Sequence, residues 1–214
     1  MDVACDLAQI AGVKFGDDGN LLDQHIAVIL SNLVEVNMKK KVGILGGSFN
    51  PPHLGHFGVC ETVLRQKMAD EVWVIPCYQH PFEKNLIPFE HRLKMCQLAF
   101  EELGKRVKVT DLEKKLGGKS FTLRTVEYLK KKHPEFEFLL ILGEDAAKEA
   151  KTWHRYDDLR KALSWLVIPR GPKSMVPNVS ATEVRKALQD RSGQKDYFPP
   201  KVLDYILTNN LYRC

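Results

Sequence analysis

Residues 41–56 read KVGILGGSFNPPHLGH, and this stretch decides the fold. The apolar run Val42-Gly43-Ile44-Leu45 gives way at once to a stretch with three glycines, two prolines and two histidines. An apolar run without polar alternation suits a strand buried on both faces. The glycines and prolines then read as the turn from that strand into a helix. Gly46 and Gly47 admit backbone conformations and a close ligand approach that a Cβ would block. Pro51 and Pro52 stiffen the entry to the helix. Beyond them, the first-turn N–H groups lack intrahelical acceptors and carry the positive end of the helix dipole, so an anion is welcome there. His53 and His56 stand three apart and project to one side, where two imidazoles can donate hydrogen bonds to a polyphosphate. The string is neither a G-x-G-x-x-G fingerprint nor a P-loop. An H-x-x-H pair can be half of a metal site, but no third and fourth ligands occur at convincing spacing.

Outward from this turn, short apolar β-branched runs alternate with longer amphipathic ones. Strands are expected at 41–46, 71–76, 106–110, 136–142 and 163–168. Helices are expected at 54–67, 88–103, 122–132, 144–162, 181–190 and 200–208. This alternation predicts an α/β fold: a doubly wound parallel sheet, with its binding crevice at the carboxyl ends of the strands.

Residues 1–38 differ in character and read as a short helical N-terminal extension, ahead of one domain over 39–214. GVKFGDDGNL (12–21) is rich in turn formers, while 22–36 carries Ile26, Ile29, Leu30 and Leu33 at helical spacing. That stripe suits packing on the main domain, a contact with a partner or second copy, or a chain whose native start lies near Met38.

With 214 residues, 44% hydrophobic and 28% charged, the chain can bury an ordinary core without disulfide or metal staples. A net charge of +5 suits anionic small molecules but is too mild and scattered to argue for nucleic acid. The lysine runs at 39–41 and 130–132 read as solvated faces. Cys5, Cys60, Cys77, Cys96 and Cys214 form no C-x-x-C pair, which fits a reducing compartment. The N-terminus lacks a basic n-region and no apolar run is long enough to cross a bilayer, so a cytoplasmic protein without membrane contact is expected.

GGSFNPPHLGH resembles the G-x-F-x-P-x-H-x-G-H signature of the nucleotidyltransferase superfamily, specifically of nicotinate-mononucleotide adenylyltransferases. The resemblance implies a Rossmann-like fold that joins a mononucleotide to ATP and releases pyrophosphate. His53 and His56 would then contact the ATP phosphates, and Gly46, Gly47, Ser48 and Phe49 would line the nucleotide cleft. Near the other end, VSATEVRKALQD (179–190) is similar to the family's S-[AT]-T-x-x-R element. Ser180 and Glu183 also make a capping box, so a well-started helix explains part of the pattern. By resemblance, Ser180, Thr182 and Arg185 would grip the triphosphate, the fork of Arg185 suiting phosphate oxygens. The closing L-Y-R is similar to the family's C-terminus as well.

The middle of the chain adds acceptor detail. LLILGEDAAKEAKTWHRYDDL (139–159) resembles the family's strand ending in G-x-D followed by T-W. Gly143 and Asp145 would approach the sugars, and Trp153 would stack on the pyridine ring or, alternatively, anchor a helix on the core. Ser120-Phe121-Thr122 is similar to an S-Y-T stretch whose amides face the nicotinate carboxylate, and Arg170 would meet the mononucleotide phosphate. IPCYQHPFEKN (75–85) departs from the family's usual P-P-H-[KR], with His80 and Lys84 as the available substitutes. PFEHR (88–92) resembles pantetheine-phosphate adenylyltransferases of the same superfamily. The resemblance thus implies an enzyme of NAD biosynthesis that takes ATP with Mg²⁺. Sister transferases and a non-catalytic nucleotide-binding module remain open, as does a homo-oligomer.

Overall fold

The computed structural model describes residues 39–82, 85–169, 174, 176–190 and 196–212. The helix expected at 22–36 therefore lies outside the described residues, as do Lys84 and Arg170.

Strand β1 (Lys40–Gly47) is the centre of the sheet, and its residues Val42 to Leu45 are buried. It pairs in parallel with β2 (Glu71–Pro76) on one side and with β4 (Phe136–Gly143) on the other. The edges are β3 (Val107–Val109) beside β2 and β5 (Ser164–Ile168) beside β4, both parallel. The order β3-β2-β1-β4-β5 reverses direction between β1 and β4, and in such sheets ligands enter at that reversal, outside the strands' carboxyl ends.

Successive strand residues point to opposite faces, so each apolar strand feeds two cores. Leu45, Val72, Val74 and Ile141 face one core with α1 (Leu54–Arg65), α2 (Phe89–Phe100), α7 (Ala181–Asp190) and α8 (Pro200–Thr208). Val42, Ile44, Leu140 and Leu142 face the other, with α3 (Leu112–Leu116), α4 (Thr122–Lys132) and α6 (Tyr156–Ala162). Each buried Leu, Ile or Val in these faces contributes roughly 1.5–3 kcal/mol. The double burial is why no strand shows polar alternation.

Two expectations are corrected. The helix expected over 144–162 is broken into α5 (Glu144–Glu149), a 3₁₀ turn (Ala150–Thr152) and α6. Trp153 is extended and Arg155 takes a left-handed φ of 53° at the break. No glycine or proline marks it; packing Trp153 against the core outweighs local helix preference. The short helix α3 was not expected at all, its five residues being too few to show a period.

Of the lysine run at 39–41, Lys40 is more than a solvated residue. It and Lys108 clasp Glu71 at 2.6 and 2.8 Å, joining the starts of three adjacent strands. Burial alone would raise the Glu71 carboxyl, but hydrogen bonds from Lys108, Lys40 and the Trp73 indole outweigh it and hold the group down to about 2. A carboxyl depressed in the folded state stabilises fully above its ordinary value of 4.5 and loses that contribution as pH falls toward 2. With both lysine ends half exposed, the contribution is roughly 1–2 kcal/mol. In E71Q, acid unfolding should lose that much of its slope between these pH values; an unchanged profile would show that the clasp is inert.

Candidate active site

Gly47 ends β1 and Gly143 ends β4, so the two glycine turns flank the point where the sheet reverses. A cleft of about 450 Å³ opens beside them. Gly46, Gly47 and Ser48 form one wall, Ser120 to Thr122 at the start of α4 a second, and Trp153 with His154 a third. Leu140 and Leu142 make an apolar floor, and His80 reaches in from the loop after β2.

Neither Gly46 nor Gly47 has a left-handed φ; Phe49 takes that role at 44°. A Cβ added to Gly46 would meet no protein atom within 4 Å, although the residue lines the cleft. No packing contact therefore requires glycine here; a side chain would project into open space. Phe49 does not line the cleft surface as expected. It is 1% exposed, packed edge-on to Phe100 and 4.9 Å from the His56 ring, so it supports the turn from below.

The histidine pair sits at the far end of the same stretch. The His53 and His56 rings lie 3.8 Å apart, with His53 2% exposed and His56 half-buried. The His53 N–H donates to His56 Nδ1 at 3.3 Å. A neutral His56 ring therefore carries its proton on Nε2, leaving that atom as a donor. The expectation that the first-turn N–H groups stand open is corrected: Leu54 N–H donates to the Tyr197 carbonyl at 2.8 Å and His56 N–H to the His53 carbonyl at 2.9 Å. The chain leading into α8 returns over the helix start and takes one of these donors. Anion binding here falls to side chains more than to amides.

VSATEVR is brought against this pair. Ser180 and Glu183 make the capping box of α7: Ser180 N–H donates to Glu183 Oε2 at 2.9 Å, and Glu183 N–H to Ser180 Oγ at 3.2 Å. Arg185, one turn on, donates to the Asn50 carbonyl at 2.8 Å and to Thr182 Oγ1 at 3.3 Å. Two glycines permit the approach. A Cβ on Gly58 would lie 2.9 Å from the Pro177 ring, and one on Gly55 3.3 Å from the Pro177 carbonyl and 3.0 Å from the His53 ring. The chain entering α7 thus rests directly on α1.

Gly143 is buried at the end of β4, while Asp145 is exposed in the first turn of α5 and outside the cleft lining. Trp153 does two things at once: it packs on the core and lines the cleft. Thr122 is the first residue of α4 and part of the cleft wall. The Ser120 amide, expected to face a ligand carboxylate, donates instead to the Gln79 carbonyl at 2.8 Å.

Two buried charges escape a reading of the sequence alone. Glu113 is 7% exposed and lines the cleft. It accepts from Thr125 Oγ1 at 3.0 Å and from Tyr78 N–H at 3.3 Å; burial pushes its carboxyl up against the pull of bonds from Ser120, Thr125 and Tyr78. Arg92, 1% exposed, donates to the carbonyls of Ser48, Cys77, Tyr78 and Ile87. Its motif PFEHR therefore serves the frame of the site and leaves no guanidinium free for an acceptor. Both residues sit in helices where a charge ordinarily faces water, so only tertiary placement reveals them.

Among the described residues, no group of three or more His, Cys, Asp and Glu side chains could hold a metal ion, and no helix is long and apolar enough to cross a membrane. The donors gathered here, two imidazoles and a guanidinium, suit phosphate oxygens.

The cytidylyltransferase-like family model matches residues 44–187. A curated protein of Anaeromyxobacter dehalogenans (strain 2CP-C), named "Probable nicotinate-nucleotide adenylyltransferase", is 37% identical over 183 residues, which cover 81% of this chain and 97% of that protein. One of the same name from Oceanobacillus iheyensis is 34% identical over 186 residues, 81% of this chain and 97% of its own. Among solved structures, Plasmodium falciparum nicotinic acid mononucleotide adenylyltransferase complexed with NaAD aligns with a TM-score of 0.68 at 24% identity, covering 81% of this chain and 97% of that one. A Vibrio parahaemolyticus structure, described as that of a "Putative Nicotinate-nucleotide Adenylyltransferase", aligns with a TM-score of 0.66 at 23% identity, over 81% and 95% of the two chains. At such identities the structural matches speak for the fold, and the curated relatives for the family. By that sequence identity across nearly the whole length of its relatives, the chain belongs to the nicotinate-nucleotide adenylyltransferase family of cytidylyltransferase-like proteins.

Proposed function

We propose that the protein joins nicotinate mononucleotide to ATP, giving deamido-NAD and pyrophosphate, as a nucleotidyltransferase of NAD biosynthesis. The observation that carries this reading is the meeting of the two motifs: Arg185 reaches the carbonyl of Asn50 at 2.8 Å, in the turn that runs from Gly46, Gly47 and Ser48 of the cleft wall to the paired His53 and His56 rings.

In the reaction, a phosphate oxygen of the mononucleotide attacks the α-phosphorus of ATP. A new P–O bond forms there as the bond from that phosphorus to the bridging α,β-oxygen breaks, and the electron pair leaves with pyrophosphate. The nucleophile is already ionised at pH 7, so no protein base is needed, and catalysis rests on positioning and charge stabilisation. His56 Nε2, His53 and the remaining N–H groups of Arg185 are the donors for the phosphates. Ser180, Thr182, Ser48 and the glycines 46 and 47 shape the ATP side, with Phe49 holding the turn. On the acceptor side, Trp153 offers a flat apolar surface for the pyridine ring. Thr122, in the cleft wall, borders the mononucleotide, while Gly143 and Asp145 are assigned to its sugar, and Lys84 and Arg170 to the phosphates, by motif alone. Mg²⁺ arrives on the triphosphate as part of the substrate and neutralises its charge.

The acceptor is tested by pyrophosphate release with ATP and, side by side, nicotinate mononucleotide, nicotinamide mononucleotide and phosphopantetheine. The first should give a kcat/KM at least roughly tenfold above the others, since rejection of an ill-matched polar group at a buried site reaches or exceeds that factor. Preference for either of the others would overturn the assigned acceptor. ATP binding without product from any of them would make the protein a binding module.

A further inference from the structure

Asn50 lies in the middle of the phosphate turn and is held from three sides. Its carbonyl accepts from Arg185 at 2.8 Å, and its Oδ1 accepts from Ile87 N–H at 3.3 Å and from the Tyr212 hydroxyl at 2.9 Å. The last of these bonds spans 162 positions of chain.

The approach of Tyr212 is built by the end of α8. Leu211 N–H donates to the Ile206 carbonyl and Asn210 N–H to the Leu207 carbonyl, the paired bonds of a Schellman cap, with Asn210 left-handed at φ 51°. An asparagine tolerates that conformation well. Tyr212 is left-handed too, at φ 61°, which a tyrosine adopts only where something holds it. The helix itself is fixed to α2 by a 2.9 Å bond between His91 Nδ1 and the Tyr205 hydroxyl. Leu211 and Tyr212 pack against the core that also contains Phe49. Burial pushes the Tyr212 hydroxyl well above the ordinary tyrosine range, with Arg92 and Arg185 pulling weakly the other way, so it stays a protonated donor.

We infer that Tyr212 is a positioning residue for adenylyl transfer: through its hydroxyl bond to Asn50 Oδ1 it clasps the phosphate turn from the chain's C-terminal end. The turn bears Asn50 three residues before His53, so its register fixes where both imidazoles and Arg185 stand relative to the triphosphate. A loosened turn should cost most in the transition state, where charge alignment matters most. This rests on the assignment of the turn to the ATP phosphates.

The test is Y212F in the full chain, with H56A run alongside. Tyr212→Phe removes one oxygen and leaves the ring's packing. It should lower kcat by roughly 3–10-fold, the worth of one neutral hydrogen bond, with KM for nicotinate mononucleotide within about twofold of wild type. The thermal midpoint should move by no more than about 4 °C. Asn50→Ala should be slow, and adding Y212F to it should cost nothing further, because the clasp is already gone. A normal kcat in Y212F while H56A collapses overturns the clasp and spares the turn's assignment; a normal kcat in both overturns that assignment as well. Multiplicative losses in the double variant, or a Y212F loss explained by its unfolded fraction, would also overturn the clasp. Should N50A not fold, the kcat of Y212F at an unchanged midpoint decides alone.

Discussion

His56→Ala is expected to lower kcat by roughly 10²–10³, the cost of removing one preorganised donor from a site where charge develops. The geometry explains why the loss should fall on turnover. His56 accepts the His53 N–H on Nδ1, which fixes the ring and presents Nε2–H as a donor without any rearrangement during the reaction. Its ring is further held between His53 at 3.8 Å and Phe49 at 4.9 Å. Water entering the space left by alanine would have to be oriented anew at each turnover. The fold should tolerate the change, because His56 is half-buried and the bond it accepts from the His53 N–H is long. Circular dichroism and the thermal midpoint should therefore stay close to wild type, and KM for ATP should change far less than kcat. Near-normal turnover in the folded variant would falsify the role assigned to the pair.

The sheet was legible because its strands are buried on both faces. Runs such as Glu71–Pro76 and Phe136–Gly143 need no partner to be recognised, and their observed limits lie within a residue or two of those expected. The break between α5 and α6 was not legible, since Trp153 leaves the helix for reasons of packing that no neighbouring residue signals. The two motifs of the site could be read one by one. Their meeting could not, because it depends on Gly55 and Gly58 admitting the Val176–Pro177 segment against α1; Gly55 reads merely as part of the first motif, and Gly58 lies two residues beyond it. The same holds for Asn50, whose three partners come from positions 87, 185 and 212. Phe49 illustrates the converse: its place in the motif was correct, yet its side chain faces the core and not the cleft.

Arg92→Ala is expected to be the most destabilising single change in the frame of the site. The guanidinium is 1% exposed and donates through Nε to the Ile87 carbonyl at 3.0 Å, through one terminal nitrogen to Ser48 at 2.9 Å and Cys77 at 2.6 Å, and through the other to Tyr78 at 3.2 Å. These acceptors lie on three separate segments: the phosphate turn, the exit of β2 and the approach to α2. Alanine would strand their carbonyls in the interior and leave a cavity behind. Each bond to a charged donor is worth about 1.5–3 kcal/mol, but they share one side chain and are not additive, so the net loss should be about 3–5 kcal/mol. For a chain of this size that lowers the thermal midpoint by roughly 6–20 °C. Arg92→Lys separates charge from geometry. An ammonium on a flexible stem cannot match the planar fork, so R92K should recover only part of the stability even though the charge is kept. Because the Ser48 carbonyl lies on the turn, kcat/KM for ATP in R92K should also fall below wild type at temperatures where the variant is fully folded. A midpoint within about 2 °C of wild type in R92A would mean that water replaces the guanidinium without loss, and that the three segments hold one another by packing alone.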